Sequence, residues 1–218
     1  MLSPAQVSAV IVTKGDVDLA PILDSLIFPD AIVWDNSVEQ NEMTYGRVLG
    51  AMRARNEIIW SQDDDIVHTP ADQARIVAEY QAGVLTGCMW PEWSDGARAQ
   101  GIEGGYDDLV FPGSGSICDR SLWTSAVMAY WDRYPCDDFF RLWSDTIIGV
   151  IAPTKQLDIR FQALPCAEDI DRMCNLPDAI ALKTEAIARA RAVRDRKPSE
   201  HQIYMAELGT PHGEHRYL

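Results

Sequence analysis

The stretch Ile58-Ile59-Trp60-Ser61-Gln62-Asp63-Asp64-Asp65-Ile66-Val67 decides how the rest of the chain is read. An apolar run ends in three consecutive carboxylates and then turns apolar again. Adjacent anions repel, so a folded chain tolerates three of them where solvent, hydrogen-bond donors or a cation offsets the charge. At the end of a buried strand a bound divalent metal is the offset that fits, since hard cations take carboxylate oxygens. The plainer alternative is a solvated acidic turn, or a helix N-terminus before Thr69-Pro70.

Upstream of the triplet, Val7 to Thr13 is rich in β-branched residues and breaks at Lys14-Gly15-Asp16, which predicts a buried first strand. Leu19, Ile22, Leu23 and Leu26 recur at helical spacing with Pro21 near the helix start, predicting a helix over Asp18 to Leu26. Ala31-Ile32-Val33-Trp34 is a second short strand, followed by Asp35-Asn36-Ser37. From Thr44 to Arg55 the spacing predicts a helix with Val48, Leu49 and Met52 on its apolar face and Arg47, Arg53 and Arg55 around it, feeding a third strand, Glu57 to Trp60. The order β-α-β-α-β implies parallel strands with right-handed crossovers, and such sheets bind ligands beyond the carboxyl ends of their strands. Thr13, Asp35 and the acidic triplet all fall at those ends.

Downstream, Ala71 to Gln81 reads as a helix, Gly83 to Met89 as a strand, and Trp90 to Gly105 as a polar loop, a candidate lid. Leu109-Val110-Phe111 reads as a strand, Pro112-Gly113-Ser114-Gly115-Ser116 as a turn, and Leu122 to Trp131 as a helix. Phe139 to Ile151 is apolar with one embedded carboxylate, Asp145. Leu157 to Leu164 alternates as a strand, and Asp178 to Lys197 is a long helix carrying Lys183, Arg189, Arg191, Arg194 and Arg196. The tail over residues 198–218 has weak periodicity and holds three of the four histidines.

With 218 residues, 47% hydrophobic and 24% charged, the chain fits one large globular domain over residues 1–197, with no apolar run of the roughly 18 to 20 residues that a membrane helix needs. A net charge of −14 opposes generic binding to nucleic acid or anionic lipid. Five cysteines, without a CxxC pair and behind an N-terminus with no basic segment, point to reduced thiols in a cytoplasmic protein.

The arrangement resembles the GT-A fold of nucleotide-sugar glycosyltransferases, whose signature is an Asp-x-Asp at the end of a strand in an N-terminal nucleotide-binding half. Gln62-Asp63-Asp64-Asp65-Ile66 fits it, and the triple-Asp form looks more like the exostosin-like and fringe-like variants. Small GT-A-like enzymes of phages or actinobacteria look similar in size. The resemblance covers roughly residues 7 to 165. It implies an α/β fold with a mixed, mainly parallel sheet flanked by helices, a nucleotide-binding half at 7–67, an acceptor half at 84–165 and a helical C-terminal extension at 178–197. The implied reaction moves a sugar from a nucleotide diphosphate, uridine-linked by preference, to a hydroxyl acceptor with Mn2+ or Mg2+.

On that resemblance Asp65 is the metal ligand, Asp63 faces the ribose or base, and Asp64 supports the metal site. Asp35 accepts from the uracil beside Thr13, and Arg47 reaches the nucleotide, with Arg53 and Arg55 as alternatives. Asp145 is the favoured base, with Asp138 as runner-up or acceptor ligand. Ser114, Gly115 and Trp93, with Trp90, line the acceptor side, and His215 or His212 closes over the metal. Each has a bland reading too: Asp-Asn-Ser is a good turn sequence, Asp138 a helix cap, Gly-Ser-Gly-Ser plain turn chemistry, the tryptophans packing, and the arginines surface charges. The basic helix 183–197 is the one feature favouring a polyanionic acceptor such as DNA. The rivals are a sugar-1-phosphate nucleotidyltransferase, for which Lys14-Gly15-Asp16 supplies only a trace of the needed loop, and a noncatalytic metal- or sugar-binding module.

Overall fold

The computed structural model describes residues 2–89, 91–102, 104–164 and 178–196. A six-stranded sheet runs through it in the order β2-β1-β3-β6-β5-β7, where β1 is Val7–Thr13, β2 Asp30–Asp35, β3 Ile58–Asp63, β5 Leu85–Cys88, β6 Ser114–Asp119 and β7 Thr154–Leu157. Strands β1 with β2, β1 with β3 and β5 with β7 pair in parallel, whereas β6 is antiparallel to both β3 and β5. A small second sheet pairs β4 (Ile66–Val67) with β8 (Gln162–Ala163).

Side chains alternate across the sheet, as a pleated strand requires. Val7 and Ala9 of β1, Trp60 of β3 and Ile117 of β6 pack with Ile76 and Val77 of α3 (Pro70–Ala78). Val10 and Ile59 point the other way, against Ala51 and Ala54 at α2 (Gly46–Arg53). That second face also carries α5 (Arg120–Trp131), α6 (Asp138–Ile151) and α7 (Ala179–Arg194), packed through Trp123, Tyr130, Phe140, Ile147, Ala186 and Ala190. Helix α1 is Ala20–Ser25 and α4 is Pro91–Ala99. Local chemistry sets several boundaries: Thr69 caps α3 by accepting the Asp72 N–H at 3.1 Å with Pro70 behind it, and Asp137 caps α6 by accepting the Phe140 N–H at 2.9 Å.

The N-terminal β-α-β-α-β reading stands, and the C-terminal half differs in four places. The expected loop from Trp90 contains α4, whose amphipathic face buries Ser94 and Ala97 and hides its helical period among polar residues. Leu109 to Phe111 is irregular chain, and the segment read as a turn forms β6. Its two glycines disguise the strand: Ser61 of β3 faces Ser116 and Gln62 faces Ser114, so Gly115 is left over in a bulge at φ 91°. The strand expected over Leu157 to Leu164 is instead the end of β7 and, after a break, β8. Trp90, His212, His215 and Lys197 lie outside the described residues.

Candidate active site

Register alone brings the expected ends together: Thr13 lies opposite Asp35, and Val12 lies opposite both Trp34 and Asp63. Past Asp63 the chain reverses through Asp64 and Asp65 into β4. Gln62 braces this reversal from inside, donating to the Ile66 carbonyl at 3.0 Å while its side-chain oxygen accepts the Trp60 indole N–H at 2.8 Å. The Asp63 N–H donates to the Gly113 carbonyl at 2.7 Å, and the Asp65 carbonyl accepts the Leu164 N–H at 2.6 Å. The turn is thus fixed by backbone on both flanks, and its three carboxylates sit half-exposed at the sheet edge.

Asp64 accepts from the Thr13 hydroxyl and the Lys14 N–H, yet burial outweighs them and, with Asp63 and Asp65 beside it, raises its pKa above the ordinary value. Asp35 forms an Asx turn in which one oxygen accepts the Ser37 N–H at 2.8 Å and the Ser37 hydroxyl at 2.6 Å, and these bonds lower its pKa. Structure and turn chemistry agree at Asp35, which still stands at the edge where the strands end.

Arg47 is only 2% exposed, so one of the three arginines expected around the apolar face of α2 turns inward. The helix buries Gly46, Arg47, Val48, Gly50 and Ala51, while Met52 is exposed. Gly46 allows this by resting against the Trp34 ring, where a Cβ would come within 2.4 Å. The Arg47 guanidinium donates to the Gln62 carbonyl at 3.2 Å and to the Asp63 carboxylate. Burial lowers its pKa, but Asp63, Asp145 and Asp64 more than compensate, so it stays above the ordinary value. Its Nε is buried without a hydrogen-bond partner among the described residues. Arg53 and Arg55 are elsewhere: Arg53 pairs with Glu39 at 2.5 Å and lies 4.3 Å over the Trp34 ring.

Asp145, 8% exposed, reaches the same centre from the other half of the molecule. Helix α6 is kinked at Trp143, whose φ of −111° and ψ of 15° are non-helical, so Asp145 occupies the first turn of a second helical stretch. The Thr44 hydroxyl pins the kink, donating to the Arg141 and Leu142 carbonyls at 3.0 Å and lying 2.9 Å from the Ser144 hydroxyl. Asp145 accepts the Thr146 N–H at 2.6 Å. Burial raises its pKa above the ordinary carboxylate value, opposed by Arg47, the Thr146 N–H and Lys183 and reinforced by Asp63. By contrast, Asp138 is 82% exposed in the first turn of α6 and pairs with Arg141 at 3.6 Å, outside this cluster.

The small residues at the start of β6 and just before it make room for protein side chains. A Cβ on Gly113 would meet the Asp63 carboxylate at 2.3 Å, and one on Gly115 would meet His68 Nε2 at 2.1 Å. The Ser114 hydroxyl donates inward, with the Cys88 and Phe111 carbonyls at 3.0 and 2.8 Å. His68, to which the sequence reading assigned no role, is fully buried, donates from Nε2 to the Ser114 carbonyl at 3.0 Å, and packs edge-on against Trp60 and Phe161. Its signal lies in its place directly after β4. Burial holds its pKa below the ordinary value, against the Ser114 carbonyl and Asp72. Trp93 on α4 is half-buried, with its ring 5.5 Å from Phe161 and 6.1 Å from Phe111.

Among the described residues no three His, Cys, Asp or Glu side chains gather into a metal-binding group. What the turn offers is hard oxygen donors at an open edge, with Asp64 desolvated among like charges. That suits a cation which takes one or two carboxylates and completes its shell from a ligand's phosphates, as Mg2+ and Mn2+ do.

No protein-family model matches the chain, and no curated protein sequence matches it. Among solved structures, glucosyl-3-phosphoglycerate synthase from Mycobacterium tuberculosis in complex with Mn2+, UDP and phosphoglyceric acid is similar over 89% of this chain and 80% of that one, with a TM-score of 0.50 at 13% identity. Structures of the same enzyme with UDP-glucose and with Mg2+ and UDP align with TM-scores of 0.49 and 0.48, at 12% identity. The backbone agreement, with β6 reversed inside an otherwise parallel sheet, makes this chain an α/β protein of the GT-A fold.

Proposed function

We propose that the protein is a metal-dependent glycosyltransferase that takes a sugar from a uridine diphosphate donor to a hydroxyl acceptor. The observation that carries this reading is the convergence of the half-exposed Asp63-Asp64-Asp65 turn and the buried Asp145 on one arginine, Arg47. Residues 7–67 then form the donor half and 84–165 the acceptor half of one catalytic unit. The similar structure, bound to UDP, Mn2+ and phosphoglyceric acid, supports the choice of nucleotide and cation.

Asp65, at the outer end of the turn, is the ligand for Mn2+ or Mg2+, and a C-terminal histidine such as His215 is a further candidate. The cation supplies charge neutralisation on the leaving diphosphate. Asp63 is held toward the donor by Arg47 and Gly113, which makes Arg47 a support for the donor site. Asp64 ties the turn to β1 through Thr13. The acceptor oxygen attacks the anomeric carbon, the bond from that carbon to the β-phosphate oxygen breaks, and its electron pair leaves with UDP. The acceptor proton passes to Asp145, a buried carboxylate whose desolvation raises its proton affinity above that of a solvated one. A single displacement of this kind inverts the anomeric centre.

A DNA acceptor loses its support, because the arginines on α7 and just after it are paired within the fold. Arg191 and Arg194 clamp Asp108, Arg189 pairs with Glu185, and Arg196 pairs with Asp132. The test is thermal shift and UDP release across UDP-glucose, UDP-galactose and GDP-mannose, with Mn2+ and with EDTA, for wild type and Asp65→Asn. Stabilisation by a UDP donor only with metal, lost in Asp65→Asn, is expected. No response to any donor, or an equal response in EDTA, sinks the reading.

A further inference from the structure

Lys183 stands apart from the other basic residues of α7. Its ammonium sits 4.2 Å from the Phe111 ring centre and 4.7 Å from that of Tyr106. Among the described residues it has no carboxylate within ion-pair distance. The two acids on the neighbouring loop are already engaged: Asp107 with Ser94 and Arg98, and Asp108 with Arg191 and Arg194. Two aromatic faces attract a cation, but weakly beside a true counter-charge.

The aromatic seat is rigid and borders the active site. Gln156 donates to the Tyr106 and Leu109 carbonyls at 2.7 and 2.8 Å, and the Tyr106 ring meets the Phe111 ring edge-on at 4.9 Å. Two residues beyond Phe111 is Gly113, against which the Asp63 carboxylate rests. Gly149, one turn after Asp145 on α6, packs against the Val110 carbonyl. Lys183 is therefore placed on the acceptor side, with Asp145 within its electrostatic reach.

We infer that Lys183 is the anion-recognising residue of the acceptor subsite, and that the acceptor is a small hydroxy compound carrying a carboxylate or phosphate. This rests on the glycosyltransferase reading and adds the acceptor's chemical class. In a chain of net charge −14 an anionic acceptor needs a local cation, and a lysine held on aromatic faces is a preorganised one. Its charge also turns the acceptor so that a hydroxyl, and not the anionic group, meets Asp145.

Binding of D-glycerate, glycerol 3-phosphate and uncharged glycerol is measured by calorimetry in EDTA, so that no metal holds the anion, for wild type, Lys183→Met and Lys183→Arg. UDP binding with Mn2+ is measured in parallel on each and reports both folding and the donor site. At least one anionic compound is expected to bind wild type and Lys183→Arg about tenfold more tightly than glycerol, and Lys183→Met no better than glycerol, the loss of one charge-assisted contact. Anion binding that is absent in wild type, or equal in Lys183→Met, overturns the inference. If the anions behave as expected but UDP binds no variant, the nucleotide-sugar reading falls and the anion subsite stands.

Discussion

The two acidic centres that meet at Arg47 are built in opposite ways. Asp63, Asp64 and Asp65 are consecutive, half-exposed and held by main-chain hydrogen bonds, so solvent shares the work of stabilising them. Asp145 is alone, buried and dependent on Arg47, one N–H and the start of a helical stretch. An open cluster can gather a cation and phosphates, whereas a desolvated carboxylate acquires proton affinity. One buried arginine, paired with Asp63 and acting on Asp145 through space, links the two centres electrostatically.

The strongest way to break this contrast is Arg47→Met, which removes the buried cation that pairs with Asp63 and acts through space on the buried Asp145. About 3 to 5 kcal/mol of stability should be lost in urea denaturation, and Arg47→Met with Asp145→Asn should recover a large part of it. If the double variant is as unstable as the sum of the singles, the two residues are not linked. Gly115→Ala comes next, because φ is 91° and the new methyl meets His68. A loss of about 1 to 3 kcal/mol is expected, with weaker UDP stabilisation as β6 shifts under Asp63.

Asp108→Asn tests the clamp that holds α7 to the 104–109 loop. Its pKa is held down at about 2 by Arg191 and Arg194, in spite of partial burial. A depressed folded-state pKa adds stability that is complete above the unfolded value near 4 and is lost as pH falls toward 2. Discounted for solvent screening, the variant should lose about 1 kcal/mol, roughly 2 to 4 °C, at pH 7. The melting curves of wild type and variant should converge as the pH approaches 2, and a constant gap over pH 2 to 7 would remove the clamp's role. Least affected should be Asp138→Asn, an exposed acid on the same helix as Asp145, with stability unchanged within about 0.5 kcal/mol. A large loss of turnover there would restore Asp138 as a rival to Asp145.

The N-terminal half was legible because its signals are local. β-branched runs marked β1 and β2, the acidic triplet marked the end of β3, and the parallel register then aligned Thr13, Asp35 and Asp63 without further information. In the C-terminal half the signals pointed the wrong way. Gly113 and Gly115 read as a turn because their reason for being glycine, the side chains of Asp63 and His68, comes from fifty residues upstream. Arg47 could not be told from Arg53 and Arg55 in the sequence because its partners, the Gln62 carbonyl and Asp63, are on another element.

By itself the sequence determined the order of the first strands, the position of the carboxylate triplet, and that Asp145 is the single acid embedded in an apolar segment, since each follows from spacing along the chain. Only the tertiary structure decided that β6 runs antiparallel through the sheet, that Arg47 faces inward, that α6 breaks just before Asp145, and that Lys183 alone on α7 lacks an acidic partner among the described residues. Those outcomes depend on which groups desolvate and which charges pair, and both are properties of contacts between distant segments.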